Sequence, residues 1–395
     1  MNQKLQTPKL EKIPITLPLK LSLTNDGIAY CANKQILTRD IITYGGKKKT
    51  GLLLTSFKGP ILQRLILNKF INSIDVDRIE LLTKRSDIID VTKLLVYGIL
   101  YKKFKPTLKH ILYESDAMYK LIQAQKIRNI KPDFKFNPEV VNNFMLSNDK
   151  TIRTLKLSLT YDPIALVNKD RSLDQDEKNK KRLIVERLID QIDNNTWFMY
   201  HFLNKSNTKL DILHNMNEVV SAFVYKTNIA DYISLILMEL IQNAEKVHYQ
   251  RIAKIKNFVA DEKQFEAVIR MKDFREELND YAKKNNHMLN LNFSIDGDHT
   301  NMQNKMRLQI AITNKGLIME RTRRALQDKS IKHTSEKSLA NFYRDSGEKK
   351  TGAGLGLYYL SYVEDECKKA DIKFESRIIS DHNRDETTVT LYLYI

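Results

Sequence analysis

Residues 351–363 read TGAGLGLYYLSYV, and this stretch decides which fold we expect for the C-terminal third of the chain. Three glycines stand at alternate positions, Gly352, Gly354 and Gly356, and an apolar helical pattern follows them directly. Glycines that open a helix provide unobstructed backbone amides at the positive end of the helix dipole, an arrangement that receives phosphate. No strand directly precedes these glycines, so the pattern differs from a Rossmann fingerprint. A glycine-rich lid before an ordinary helix is the alternative.

An upstream helical segment, residues 231–250, carries three polar groups on one face. Glu239, Asn243 and Lys246 have the spacing i, i+4, i+7 within an otherwise apolar pattern. An amide beside a carboxylate suits hydrated Mg2+, which takes few protein ligands. Alone, the triplet is equally typical of an amphipathic helix with a polar stripe.

Residues 306–318 form a third segment of interest, predicted as a strand that ends at Asn314 and a turn at Gly316. The side-chain oxygen of Asn314 could accept a hydrogen bond from an adenine amino group, and Gly316 would let the base approach the backbone. A plain turn explains the same residues.

Together these segments resemble the conserved boxes of histidine kinases. ELIQNAEK at 239–246, TNKG at 313–316 and NFYRDSGEKKTGAGLGL at 341–357 are similar, in that order, to the N box, the first glycine box, the F box and the second glycine box. These kinases belong to the ATPase superfamily that includes gyrase and MutL. The tail also fits, because residues 372–379 and 387–395 read as a closing β-hairpin. The resemblance covers about residues 228–395.

This resemblance implies a Bergerat-type α/β sandwich that binds ATP with Mg2+. It implies Asn243 as the Mg2+ ligand, Glu239 as the catalytic acid that starts the N box, and Lys246 as a second catalytic residue near the phosphates. The other nucleotide-binding residues that it implies are Asn314 and Gly316 toward adenine, Tyr343 and Arg344 beside Phe342 in the lid, and Gly352, Gly354, Leu355 and Gly356 around the triphosphate.

The chain departs from the kinase pattern in two ways within this domain. The first glycine box is usually D-x-G-x-G, whereas residues 314–318 read NKGLI and lack both the acid and the second glycine. Residues 251–288 add a helical arm where the family usually moves straight to a strand. The arm could contact a partner or be a simple exposed pair of helices.

A third departure concerns the phosphoacceptor. The family presents a His followed by an acid, but Phe202 follows His201 and Asn215 follows His214. His214 is the better candidate of the two, although a lone helical His is more often structural.

Three functions therefore remain open for the chain. The leading one is a signalling protein of the two-component type, which transfers the γ-phosphate of ATP to a histidine. The second is an ATPase switch in which Glu239 acts as general base on water. The third is a noncatalytic scaffold that has lost nucleotide chemistry.

Composition limits the partners and the location of the chain. Its 395 residues include 65 basic and 48 acidic ones, and the net charge of +17 could serve nucleic acid, an anionic membrane surface or polyanionic ligands. No zinc-finger or RNP-type signature accompanies the basic residues, so there is no strong evidence for nucleic acid. Two cysteines, an N-terminus without a signal-peptide core and no segment of membrane-spanning length predict a cytoplasmic protein. We expect ATP, a response regulator or other signalling protein, and a second copy as partners.

The expected fold class is α+β with three segments. Residues 1–160 form a mixed module for sensing or docking, with strands over 14–56 and helices from 59 to about 125; within it, GGKKKTG at 45–51 is read as a basic hairpin turn rather than a phosphate loop. Residues 161–227 form a linker and a helical hairpin suited to dimerisation, and the alternating TLKLSLT at 154–160 marks the boundary before it. Residues 228–395 form the Bergerat-type sandwich.

Overall fold

The computed structural model describes most of the chain, namely residues 14–43, 46–125, 136–171, 173–203, 209–258, 262–297, 306–316 and 355–395. These residues divide into two compact units. The first is formed by the described residues within Met1–Gly98 and Ile229–Ile395, and the second by those within Ile99–Asn228. The first unit thus joins part of the predicted module 1–160 to the predicted domain 228–395, and the second unit begins inside the predicted module.

The first unit is built on an antiparallel sheet of eight described strands in the order β2-β3-β1-β4-β5-β6-β8-β7. The strands are β1 Leu19–Leu23, β2 Arg39–Ile42, β3 Lys48–Leu54, β4 Ile71–Arg78, β5 Leu289–Gly297, β6 Met306–Lys315, β7 Lys373–Asp381 and β8 Glu386–Tyr394. Strands β4 and β5 pair along six residues, from Ser73 opposite Ser294 to Arg78 opposite Leu289. Strands from both ends of the chain therefore form one sheet.

Both units contain helices, and the boundaries between the units lie inside the third and the ninth helix. They are α1 Asn25–Asn33, α2 Gly59–Leu67, α3 Arg85–Tyr113, α4 Asp116–Gln125, α5 Pro138–Ser147, α6 Asp149–Lys169, α7 Gln175–Asp190, α8 Asn194–Leu203, α9 Lys209–Ile255, α10 Glu262–Val268, α11 Lys272–Lys284 and α12 Leu355–Lys369. A 3-10 turn, Leu82–Lys84, precedes α3. Among the described residues, no helix is both long and apolar enough to cross a membrane.

The two faces of the sheet differ in polarity because side chains alternate along each strand. Leu289, Leu291 and Phe293 on β5 are fully buried on one face. On the other face, the amide of Asn292 donates to Asp75 at 2.9 Å, in register across β4 and β5. The apolar face therefore forms the core of the first unit.

The second unit is helical. Phe104 and Phe223 lie with their ring centroids 5.1 Å apart, and Trp197 is 1% exposed. The Tyr101 hydroxyl donates to the Gln191 carbonyl at 2.7 Å. A capping box begins α7, since the Asp174 side chain accepts from the Glu177 backbone N–H at 2.8 Å.

The mixed α and β character predicted from the sequence is confirmed, and so are the β2–β3 hairpin, the β7–β8 hairpin and the helical nature of the arm. The arm is not a free pair of helices. A buried cluster joins α10 and α11 to the end of α9 and to the residue after β4, and its members are Ile79, Tyr249, Ile252, Ala253, Phe265, Leu278 and Ala282.

Three local predictions were wrong. Residues 28–31 were expected in a strand but lie in α1, which the Thr24 side chain caps by accepting the Gly27 N–H at 3.1 Å. The helical pattern expected from residue 59 is interrupted by β4. TLKLSLT lies inside α6, where Leu155 and Leu159 are buried one turn apart and Leu157 is 69% exposed.

Candidate functional site

The predicted N-box residues lie together on one face of α9. Glu239, Asn243 and Lys246 are each partly buried, as are Tyr232 and Gln250. Relative to Tyr232, these positions are i+7, i+11, i+14 and i+18, a spacing that keeps all five side chains on one side of a helix. The three predicted residues therefore share one polar, partly buried face of α9.

Helix α12 lies against this same face. The rings of Tyr232 and Tyr362 meet edge to face with centroids 5.2 Å apart. Helix α12 begins at Leu355, seven residues before Tyr362, which corresponds to about 10 Å along its axis. The helix that follows the glycine-rich segment is thus in contact with the helix that carries Asn243.

The predicted adenine-facing residues lie at the end of β6. Asn314 is 7% exposed and continues the face of Leu308, Ile310 and Ile312, which are buried in the core. The Asn314 amide nitrogen donates to the Lys315 carbonyl at 3.1 Å, so its oxygen is left as an acceptor. The core face of β6 therefore ends in a polar position.

Hydrogen bonds to the β7–β8 turn fix the backbone at Gly316. Its N–H donates to the Asp385 carbonyl at 2.7 Å, and its carbonyl accepts from the Thr387 hydroxyl at 2.6 Å. Gly316 has φ +109°, a conformation that L side chains rarely adopt. The glycine is therefore required by the turn itself.

Arg251 connects the end of α9 to this turn. Its guanidinium forms an ion pair with Asp385, and a Cβ placed on Gly316 would lie 2.8 Å from Arg251 Nη1. A second ion pair, Lys315 with Glu386 at 2.7 Å, lies across the same strand end. Helix α9 therefore touches α12 through Tyr232, at the middle of α9, and the end of β6 through Arg251, near the C-terminal end of α9.

Several predicted site residues lie outside the described part of the chain. They are Phe342, Tyr343, Arg344, Gly352 and Gly354. Leu355 and Gly356 form the first turn of α12, and only their backbone is described.

Two titratable residues that sequence reasoning missed lie on the buried side of α9. Burial raises the pKa of Glu245 to about 7, and the Leu82 backbone N–H, which donates to its carboxyl group at 2.7 Å, opposes that rise. Burial lowers the pKa of His248 to about 4, and its Nε2 lies 3.2 Å from the His287 carbonyl. A Glu and a His at otherwise apolar helix positions were the available signal.

Among the described residues, no cluster of three or more His, Cys, Asp or Glu side chains could hold a metal ion. A hydrated Mg2+ needs fewer protein ligands, and the oxygens of Glu239 and Asn243, one turn apart, fit that demand.

Comparison with known proteins shows a relative in Treponema pallidum (strain Nichols), which carries the description "Uncharacterized protein". It is 23% identical over 383 residues, which cover 95% of this chain and 97% of the relative. No solved structure matches the chain. Residues 10–395 match the family of unknown function DUF8084, and the chain belongs to that family.

Proposed function

We propose that the first unit binds ATP with Mg2+ in a Bergerat-type site and uses it for phosphoryl transfer to a histidine. One observation carries this proposal: α9 contacts α12 through Tyr232 and the β6 end through Arg251, and its polar face with Asn243 lies between these two contacts. The three motif segments are far apart in the sequence, so their meeting on one helix supports a shared site.

The side chains divide the proposed site by chemistry. Asn243 and Glu239 supply oxygens for Mg2+, and the Lys246 ammonium supplies positive charge for the phosphates. At the other end, the acceptor oxygen of Asn314 suits an adenine amino group. The bound metal would neutralise phosphate charge, and the protein would mainly position the reactants.

Loss of the usual acid in the first glycine box does not remove the acceptor at this position. Asn314 is nearly buried on the core face of β6, and Gly316 is held in a turn that only glycine adopts easily. The proposed site would therefore keep the hydrogen-bond acceptor without the charge, while Arg251 occupies the space against the Gly316 backbone.

His214 is the proposed phosphoacceptor in the second unit. It is 72% exposed, and its Nε2 lies 3.3 Å from a Glu218 carboxylate oxygen. A carboxylate that accepts the Nε2 proton leaves Nδ1 as the nucleophile, which takes the γ-phosphoryl group while ADP leaves. The acid that the sequence lacks at the next position is thus supplied one helical turn away.

Calorimetric titration of Mg-ATP into the full chain tests the binding site. We expect saturable binding, weakened at least about tenfold in Asn243→Ala and in Lys246→Ala, because each removes a polar contact to a charged ligand. Gln242→Ala is the matched control, since Gln242 is an exposed amide on the same helix. Absence of binding by the parent chain, or equal loss in the control, would favour the scaffold.

Incubation with γ-labelled ATP then tests transfer. We expect acid-labile label on the protein, absent from His214→Ala and retained in His110→Ala. His110 is a fair control because it is also exposed and paired with a carboxylate, Glu114, at 3.0 Å. Free phosphate without labelled protein, abolished by Glu239→Gln, would instead identify an ATPase.

A further inference from the structure

The β2–β3 hairpin at one edge of the sheet carries cations that no acidic side chain balances. Arg39, Lys47 and Lys49 are exposed, occupy alternate positions on one face of the hairpin, and form no ion pair with any residue that the structure describes. On the opposite face, Lys48 pairs with Asp40 at 2.8 Å. The first face therefore presents a concentrated positive charge to solvent.

Exposed aliphatic side chains directly precede this hairpin. Leu37 is 80% exposed and Ile36 is 42% exposed, and they lie two and three residues before Arg39, whereas the exposed Ile42 pairs with Lys48 on the opposite face. We call the side chains of Ile36, Leu37, Arg39, Lys47 and Lys49 the hairpin surface. Single exposed aliphatics are ordinary, but two adjacent ones on a segment with three unpaired cations make a surface that is both apolar and basic.

Hydrogen bonds within the chain already order the hairpin that carries this surface. The Thr43 N–H donates to the Lys47 carbonyl at 2.9 Å, and the Thr43 hydroxyl donates to the same carbonyl at 3.0 Å. Strand β3 is also paired with β1 along four residues. Binding therefore need not order the hairpin, and little conformational entropy opposes it.

We propose that the hairpin surface docks on an anionic lipid membrane. Lysine and arginine side chains are drawn to acidic headgroups, while Ile36 and Leu37 gain by entering the boundary between headgroups and acyl chains. A nucleic acid would satisfy the cations through its phosphates but offers the aliphatic side chains no apolar phase. Pairing of β2 with a strand of a second copy is disfavoured because β2 is an edge strand of only four residues and begins with the charged Arg39 and Asp40.

Vesicle flotation of the full chain tests this proposal. Vesicles of phosphatidylcholine with 30% phosphatidylserine, roughly the density that gives a physiological surface potential, should carry the protein up the gradient, and pure phosphatidylcholine should not. Replacing Lys47 and Lys49 by Glu should weaken the partition coefficient by roughly 25-fold or more, at about fivefold for each lysine lost. Leu37→Asn should weaken it about tenfold at unchanged net charge.

The control has the same change of charge elsewhere on the first unit. Lys254→Glu with Lys284→Glu alters two other exposed lysines and should leave flotation within about twofold, since charges beyond a Debye length are screened. Equal loss in this control would overturn the proposal, because it would show a general charge effect. Flotation that is insensitive to Leu37→Asn, together with tight binding of a duplex oligonucleotide in anisotropy measurements, would identify a nucleic-acid surface instead.

Discussion

Replacement of Glu245 by Gln should make the protein less sensitive to pH, and the size of the effect follows from burial. Glu245 is 6% exposed, and burial raises the pKa of its carboxyl group from 4.5 to about 7. Between these pH values the folded protein holds a proton that the unfolded chain has released. The free energy of unfolding therefore falls as pH rises through this window, by roughly 3 kcal/mol at about 1.4 kcal/mol per pH unit. Below pH 4.5 the stability is fully present, and above about 7 the loss is complete.

Urea denaturation of the parent chain and Glu245→Gln, from pH 4 to 8, measures this effect. The amide of Gln keeps an oxygen acceptor for the Leu82 N–H but does not ionise. The stability of the variant relative to the parent should therefore increase with pH across the window, while Glu277→Gln, an exposed control, should show no such trend. A difference between Glu245→Gln and the parent that stays constant with pH would refute the reasoning.

Two further substitutions test the packing around the site. Gly316→Ala should lower the free energy of unfolding by about 1–3 kcal/mol. Gly46→Ala should cost less, because Gly46 also has a positive φ but no atom lies within 4 Å of the added Cβ. Equal costs in urea titrations would contradict the role given to Arg251. Leu278→Ala should cost about 2–5 kcal/mol and expose the arm to limited proteolysis, whereas Met271→Ala, 59% exposed, should do neither. An arm equally protected in both variants would mean that it does not depend on the buried cluster.

Local pattern predicted the elements whose side chains repeat regularly. The β7–β8 hairpin alternates clearly and is bounded by a polar turn, and α9 follows helical spacing over most of its length. Strand β4 was missed because its eight residues lie between two helical patterns, and its place depends on pairing with β5. TLKLSLT alternates like a strand, yet Leu155 and Leu159 also fit one helix face, and tertiary packing selects the helix.

The candidate site also has parts that the sequence predicts and parts that depend on tertiary packing. Glu239, Asn243 and Lys246 share a face by helical spacing alone, so the sequence could group them. The contact of Arg251 with Gly316 depends on how the end of α9 meets β6, and no local pattern encodes it. Glu245 and His248 stand at otherwise apolar helix positions, but the burial that shifts their pKa values is not visible in the sequence.

The pairing of β4 with β5 has a consequence for biosynthesis. Arg78 at the end of β4 leaves the ribosome 289 − 78 = 211 residues before its partner Leu289. At about 5–20 residues per second this interval lasts roughly 10–40 s. During that time the strands β1, β3 and β4 can pair, but β5 is not yet made. The backbone edge of β4 therefore stays open to other nascent chains. We expect the nascent chain to be most prone to aggregation in this interval. A chain held on a ribosome that stalls before residue 289 should need a chaperone to stay soluble.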